Sequence, residues 1–92
     1  MATPLTLTAK TRFHKDVERM QRRGKDMEKL KAIITALVEQ TPLPAKNNDH
    51  KLRGQYLHRR ECHIEPDWLL VYKCDITSLT LERTGSHADL FE

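Results

Sequence analysis

The spacing of apolar residues changes once along this chain, and that change limits what each half can become. From Thr11 to Gln40 the apolar positions recur with a helical period. Phe13, Val17 and Met20 stand at i, i+4 and i+7; Leu30, Ile33, Ile34, Leu37 and Val38 extend the stripe as i, i+3, i+4, i+7 and i+8. Near the end the period is two: Leu79 and Leu81 alternate with Thr80 and Glu82, so one face of an extended segment is apolar. Between the two regimes runs "TPLPAKNNDH" at 41–50, where Pro42 and Pro44 forbid continued helix. A polar loop of that length inside a compact domain is uncommon and often functional.

The helical region is simplest as two helices, with Gly24 as the left-handed residue closing the first and Lys25 or Asp26 near the start of the second. The remainder predicts a short extended piece at Leu52 ended by Gly54, then strands over 57–64, 67–74 and 78–83, with a further N-terminal strand near Pro4 to Thr8. "IEPDW" makes a tight reversal between the first two long strands. Leu69, Leu70 and Val71 do not alternate, which predicts a central strand covered on both faces. The class is α+β: a small, mainly antiparallel sheet with two N-terminal helices packed on one face.

Ninety-two residues suit a single domain over 1–92 with one modest core. The longest apolar runs are pairs and triplets, far short of the roughly 20 residues that span a bilayer, so no membrane partner is expected. "MATPLTLTAK" has no apolar signal region, and a cytoplasmic location follows as the expectation. The two cysteines agree with this. If the hairpin turns around Glu65 to Asp67, Cys62 and Cys74 are offset by four residues, about 13 Å, beyond the roughly 7 Å limit for bridging. Both are expected to be free and mostly buried.

Charge is unevenly divided. Met1 to Lys46 holds ten Lys and Arg against five Asp and Glu; Asn47 to Glu92 holds six against eight. The cations Lys15, Arg19, Arg22 and Arg23 fall in the first helix, where they suit a phosphate backbone and equally suit a solvated helix face.

Five histidines are many for this length, and His50, His63 and His87 stand at strand ends or loop exits. Each alone has a plain structural reading; together they can converge on one rim of a small sheet. No metal is expected. Zinc sites show ligand pairs at short spacing, and the adjacent Cys62 and His63 point to opposite faces of a strand. There is no Gly-x-Ser-x-Gly elbow and no Gly-rich phosphate loop, so neither a serine nucleophile nor a nucleotide cofactor is expected. Acid–base chemistry beside cations remains. RNA phosphodiester cleavage needs a base for the 2′-OH, an acid for the 5′-oxygen and positive charge at the phosphorane. Imidazole, at about 6.5 in its ordinary state, serves either proton role. Asp67 suits a base or an orienting group, and Arg83 is a permanent cation with bidentate phosphate geometry. Trp68 and Phe91 could stack on bases or fill core.

Three strings carry a resemblance: "DHKLRG" at 49–54, "ECHIEPDWLLVY" at 61–72 and "LERTGSHADLF" at 81–91. In order and spacing they resemble the YafQ-like branch of the RelE/ParE toxin superfamily, and "KDVERMQRRGKDMEKL" at 15–30 and "LPA" at 43–45 fit the same pattern. The resemblance covers nearly the whole chain. It implies a RelE-like fold related to microbial ribonucleases and the toxin of a type II toxin–antitoxin system. Such a toxin is a ribosome-dependent endoribonuclease that cleaves mRNA in the A site without metal or cofactor. The implied partners are the 70S ribosome with its mRNA and a cognate antitoxin, the toxin alone being a monomer and the complex hetero-oligomeric. The functional positions it implies are His50, His63, Asp67, Arg83 and His87 for catalysis and Trp68 and Phe91 for the substrate. The mechanism expected from these is His87 as acid, Asp67 or His50 as base, and Arg83 with His63 at the phosphorane; the basic first helix would grip ribosomal RNA. A gyrase-directed relative of the superfamily would share the fold but has no evident use for three histidines with Asp67 and Arg83; a non-catalytic nucleic-acid or antitoxin-binding module would share the charge pattern.

Overall fold

A computed structural model describes residues 3–91. The elements are β1 (Thr6–Ala9), α1 (Thr11–Arg22), α2 (Met27–Val38), β2 (His50–Lys51), β3 (Arg60–Glu65), β4 (Trp68–Cys74), β5 (Ser78–Gly85) and α3 (His87–Phe91), with single 3₁₀ turns at Ala45–Asn47 and Gly54–Tyr56. The strands form one sheet in the order β1-β5-β4-β3-β2. β1 runs parallel to β5, and the other neighbours are antiparallel. The α+β reading holds, with β4 at the centre.

Local chemistry sets the helix ends. Gly24 has φ +80°, and the N–H groups of Gly24 and Lys25 donate back to the Gln21 and Met20 carbonyls at 3.0 and 3.1 Å. That left-handed step needs a residue without a Cβ. Asp26 starts α2 by accepting from the Glu28 N–H at 2.9 Å, which satisfies one of the helix's orphan donors.

The sheet has two unlike faces. α1 and α2 lay Phe13, Met20 and Leu30 on Cys62, Trp68, Leu70, Tyr72, Leu79 and Leu81, all buried. On the other face the buried apolar cluster is small, Leu69, Val71 and Leu90, flanked by Leu52 and Tyr56. Leu69, Leu70 and Val71 are fully enclosed, as the lack of alternation predicts.

Three expectations are corrected. Trp68 is fully buried, and its indole N–H donates to the Thr84 hydroxyl at 3.0 Å, so its ring fills the core and offers no face to a nucleotide. The strand expected from 57 begins at Arg60, because the preceding 3₁₀ turn and the left-handed His58, φ +71°, break the extended run. Cys62 is buried and Cys74 is exposed, and both are free. Cys62 pairs in register with Leu70, as the hairpin requires, and burial pushes its thiol up to about 12. Cys74 ends β4, where the burial pattern of that strand opens to solvent.

Candidate active site

The less covered face carries the imidazoles. His50 pairs with Glu61 across β2 and β3, and the period of two puts Glu61 and His63 on one face of β3. The hairpin then presents Asp67, while Gly85 ends β5 and delivers His87 at the start of α3. His50 and His63 ring centroids are 6.3 Å apart, His63 and His87 5.8 Å, and His87 and Phe91 6.3 Å. Tyr56 closes this file of rings edge-on to Phe91 at 5.5 Å.

Hydrogen bonds fix the imidazole tautomers. Asp67 Oδ1 lies 2.7 Å from His87 Nδ1 and accepts the His87 backbone N–H at 2.9 Å. These two contacts, the backbone one first, hold the Asp67 carboxyl below its ordinary value. An ionised carboxylate only accepts, so His87 Nδ1 carries a proton and Nε2 is left for substrate. His50 Nδ1 lies 2.6 Å from the Asn48 carbonyl oxygen, which likewise forces Nδ1–H and leaves Nε2 on the site. The left-handed Asn48, φ +44°, makes that contact reachable.

Glu61, unnoticed in the sequence reading, stands between two of the rings. Its Oε1 is 3.6 Å from His50 Nε2 and 3.3 Å from His63 Nε2, and its side chain is only 5% exposed. The signal was present in the period-two relation of 61 to 63, but a glutamate among thirteen acidic residues draws no notice until strand pairing is known. The buried Asn47 supports this strand by donating its amide N–H to the His63 carbonyl at 2.7 Å.

α3 is only five residues long, too short to hold its shape alone. It is clamped to α1. Arg23 donates to both Asp89 oxygens at 2.6 and 2.9 Å, and Asp89 in turn accepts the Ser86 N–H at 2.8 Å. The Arg23 guanidinium holds the Asp89 carboxyl well below the usual carboxylate range. Gly85 makes the approach feasible, since a Cβ there would stand 2.8 Å from Asp89 Oδ2 and 2.9 Å from its Cβ.

Two groups of expected site residues are already paired with carboxylates; Arg83, opposite Val71, lies on the imidazole-bearing face near Tyr56 and Leu90. Arg83 does not present a free fork to the imidazoles: its guanidinium grips the buried Asp16 at 2.7 and 3.1 Å, which matches its charge internally. Arg19 donates to Asp16 at 2.9 Å and Arg23 to Asp89, so each already has a carboxylate partner, although Arg23 is itself exposed. Lys15 and Arg22 remain exposed on α1.

Glu61, His63 and His87 each offer a ligand atom within 4.8 Å of the others. Mixed nitrogen and oxygen donors of that kind suit a transition-metal ion. Ligand spacing along the chain does not reveal this group, because three separate segments supply its members.

Residues 5–92 match the family described as the bacterial toxin of type II toxin–antitoxin system, YafQ. The chain belongs to the YafQ toxin family. It is 50% identical over 80 residues to the mRNA interferase toxin YafQ of Escherichia coli K12, covering 86% of this chain and 87% of that one. The fold matches the crystal structure of the E. coli DinJ–YafQ toxin–antitoxin complex with a TM-score of 0.91 and 44% identity, covering 97% of this chain and 99% of the other. A metal-bound toxin from Helicobacter pylori matches with a TM-score of 0.88 and 38% identity, covering 95% and 99%. YafQ toxins named as mRNA interferases are endoribonucleases, and this chain is of that class.

Proposed function

We propose that this YafQ toxin cleaves mRNA in the ribosomal A site by acid–base chemistry at the imidazole file. The observation that carries the reading is the double contact of Asp67 with His87, which leaves Nε2 as the free nitrogen of a ring grouped with His63 and Glu61. His50 Nε2 takes the 2′-OH proton as the 2′-oxygen attacks phosphorus, and the nearby Glu61 carboxylate faces the charge the ring acquires. The P–O5′ bond breaks as protonated His87 delivers its Nε2 proton to the leaving 5′-oxygen. The products are a 2′,3′-cyclic phosphate and a free 5′-hydroxyl. Asp67 orients His87 and balances its charge; His63 faces the phosphorane. Phe91, exposed at the end of the file, offers a face to a base. With Arg83 tied to Asp16, the histidines supply the cationic groups. The Glu61–His63–His87 triplet also fits a transition-metal ion, and an ion held there would take up the donor atoms needed for proton transfer.

Exposed cations of α1, among them Lys15 and Arg22, contact ribosomal RNA in this reading. A cognate antitoxin silences the toxin in a hetero-oligomeric complex, as the DinJ–YafQ complex of the E. coli relative suggests; the toxin alone acts as a monomer in the cytoplasm. The test maps mRNA ends after incubation with programmed ribosomes. Cleavage leaving a cyclic phosphate is expected. His87→Ala should lower it by about 10² to 10⁴-fold with the fold intact, and full cleavage by that variant would refute the assignment.

A further inference from the structure

At the end of the sheet beyond the imidazoles, where β2 and β4 stop and β3 starts, lies a groove that the chemistry above does not use. It is lined by Lys51, Leu52, Leu57, His58, Arg59, Arg60, Lys73 and Cys74. Four permanent cations from β2, β3, β4 and the turn before β3 meet there, and no carboxylate lines it. Arg59 lies 3.6 Å from Glu82 and Arg60 3.1 Å from Asp49. Lys51 and Lys73 are exposed and have no carboxylate at ion-pair distance among the described residues. An arrangement with that much unmatched charge favours a polyanion.

We propose that this groove holds the phosphodiester backbone of the single-stranded RNA whose scissile phosphate lies at the imidazole file. The inference rests on the ribonuclease reading and adds a path for the substrate strand. Position supports it in two ways. Lys51 directly follows His50 on β2, so the groove begins one residue beyond the file; the two side chains point to opposite faces, and the RNA strand would round the end of the sheet to reach both. On β4, Leu69 is paired with His63 and Lys73 lies four residues beyond it, about 13 Å along the strand. That reach covers nucleotides flanking the cleaved one. The chemistry also suits a backbone rather than a particular base: long cationic side chains contact phosphates without reading sequence, and exposed Leu57 offers apolar surface beside them. A volume of about 550 Å³ admits more than a single small anion.

The experiment measures affinity for a 2′-O-methyl RNA heptamer, which cannot be cleaved, by fluorescence anisotropy over a salt series. The Lys51→Glu, Lys73→Glu double variant should bind at least about tenfold more weakly. Its salt slope should be shallower by about 1.4, from two lost phosphate contacts at about 0.7 each. Both positions are exposed, so folding is kept, and thermal melting checks this; if the double variant melts early, Lys51→Gln with Lys73→Gln should show the same direction of effect. Unchanged affinity and slope in variants that fold would overturn the groove while leaving cleavage chemistry standing. Loss of RNA affinity in a protein that cuts no message would support the groove while refuting the ribonuclease reading. Absence of heptamer binding by the unaltered toxin overturns the groove, as does weakened capture of a polyglutamate peptide with RNA affinity intact, which would assign the surface to an acidic protein.

Discussion

The helix-covered face of the sheet and the imidazole-bearing face are held by different forces. The first buries Phe13, Met20, Leu30, Trp68, Leu70 and Leu79 together, so its stability is area removed from water. The second has a small apolar cluster of Leu69, Val71 and Leu90, and it depends on named contacts: Asp67 on His87, Arg23 on Asp89, and Glu61 beside two imidazoles. Such contacts fix orientation while leaving polar atoms open to a ligand. Stability and chemistry are thereby assigned to opposite sides of one sheet, and changes on one side should leave the other property nearly untouched.

Five variants or conditions test that division, from the largest effect to the smallest. Trp68→Ala should cost about 3–5 kcal/mol of stability through its cavity, read as a lower midpoint in urea, whereas His63→Gln should leave the midpoint within about 0.5 kcal/mol and reduce cleavage. A strongly destabilised His63→Gln would break the division. Asp89→Asn removes the clamp on α3. Because Arg23 is 43% exposed, the stability loss should be near 1 kcal/mol, but cleavage should fall further than that loss explains, since His87 opens the same helix.

Acid pH offers a milder probe. Asp67 and Asp89 are both held below their ordinary values in the folded protein. Their contribution is therefore complete above the unfolded carboxylate value of about 3.9 and is lost as pH falls through the lower folded values. Melting temperature should be insensitive to these groups from neutral pH down to about 4, then decline, and the decline should be shallower in Asp89→Asn. An equal decline in both would remove the clamp from the account. The smallest effect on the fold is expected from Lys15→Ala with Arg22→Ala: no loss of stability, but weaker ribosome association measured by co-sedimentation. Arg19 and Arg23 are unsuitable for that test because replacing them would disturb Asp16 and Asp89.

Legibility differed by residue. The two helices, the central strand at Leu69 to Val71 and the hairpin before Trp68 could be read from period and turn chemistry, because those signals are local. α3 could not: at five residues it is shorter than any periodic pattern, and tertiary ion pairs hold it. His50, His63, Asp67 and His87 were recognisable as chemically apt, and the structure gathers them. Glu61 was not, since its meaning comes from the pairing of β2 with β3. Arg83 and Trp68 were read as reaching substrate; the partners that claim them, Asp16 and Thr84, lie 67 and 16 residues away.

The sequence by itself determined an α+β chain of the YafQ type, with imidazoles and carboxylates enough for acid–base work and an excess of cations in its first half. Periodicity, turns and motif order are properties of neighbouring residues, and neighbours are what a sequence displays. Only the tertiary structure decided which charges are available. A cation's usefulness to an outside phosphate depends on whether a carboxylate from a distant segment already neutralises it. By that measure Arg19, Arg23 and Arg83 are already paired with Asp16 or Asp89, while Lys51 and Lys73 have no carboxylate at ion-pair distance among the described residues.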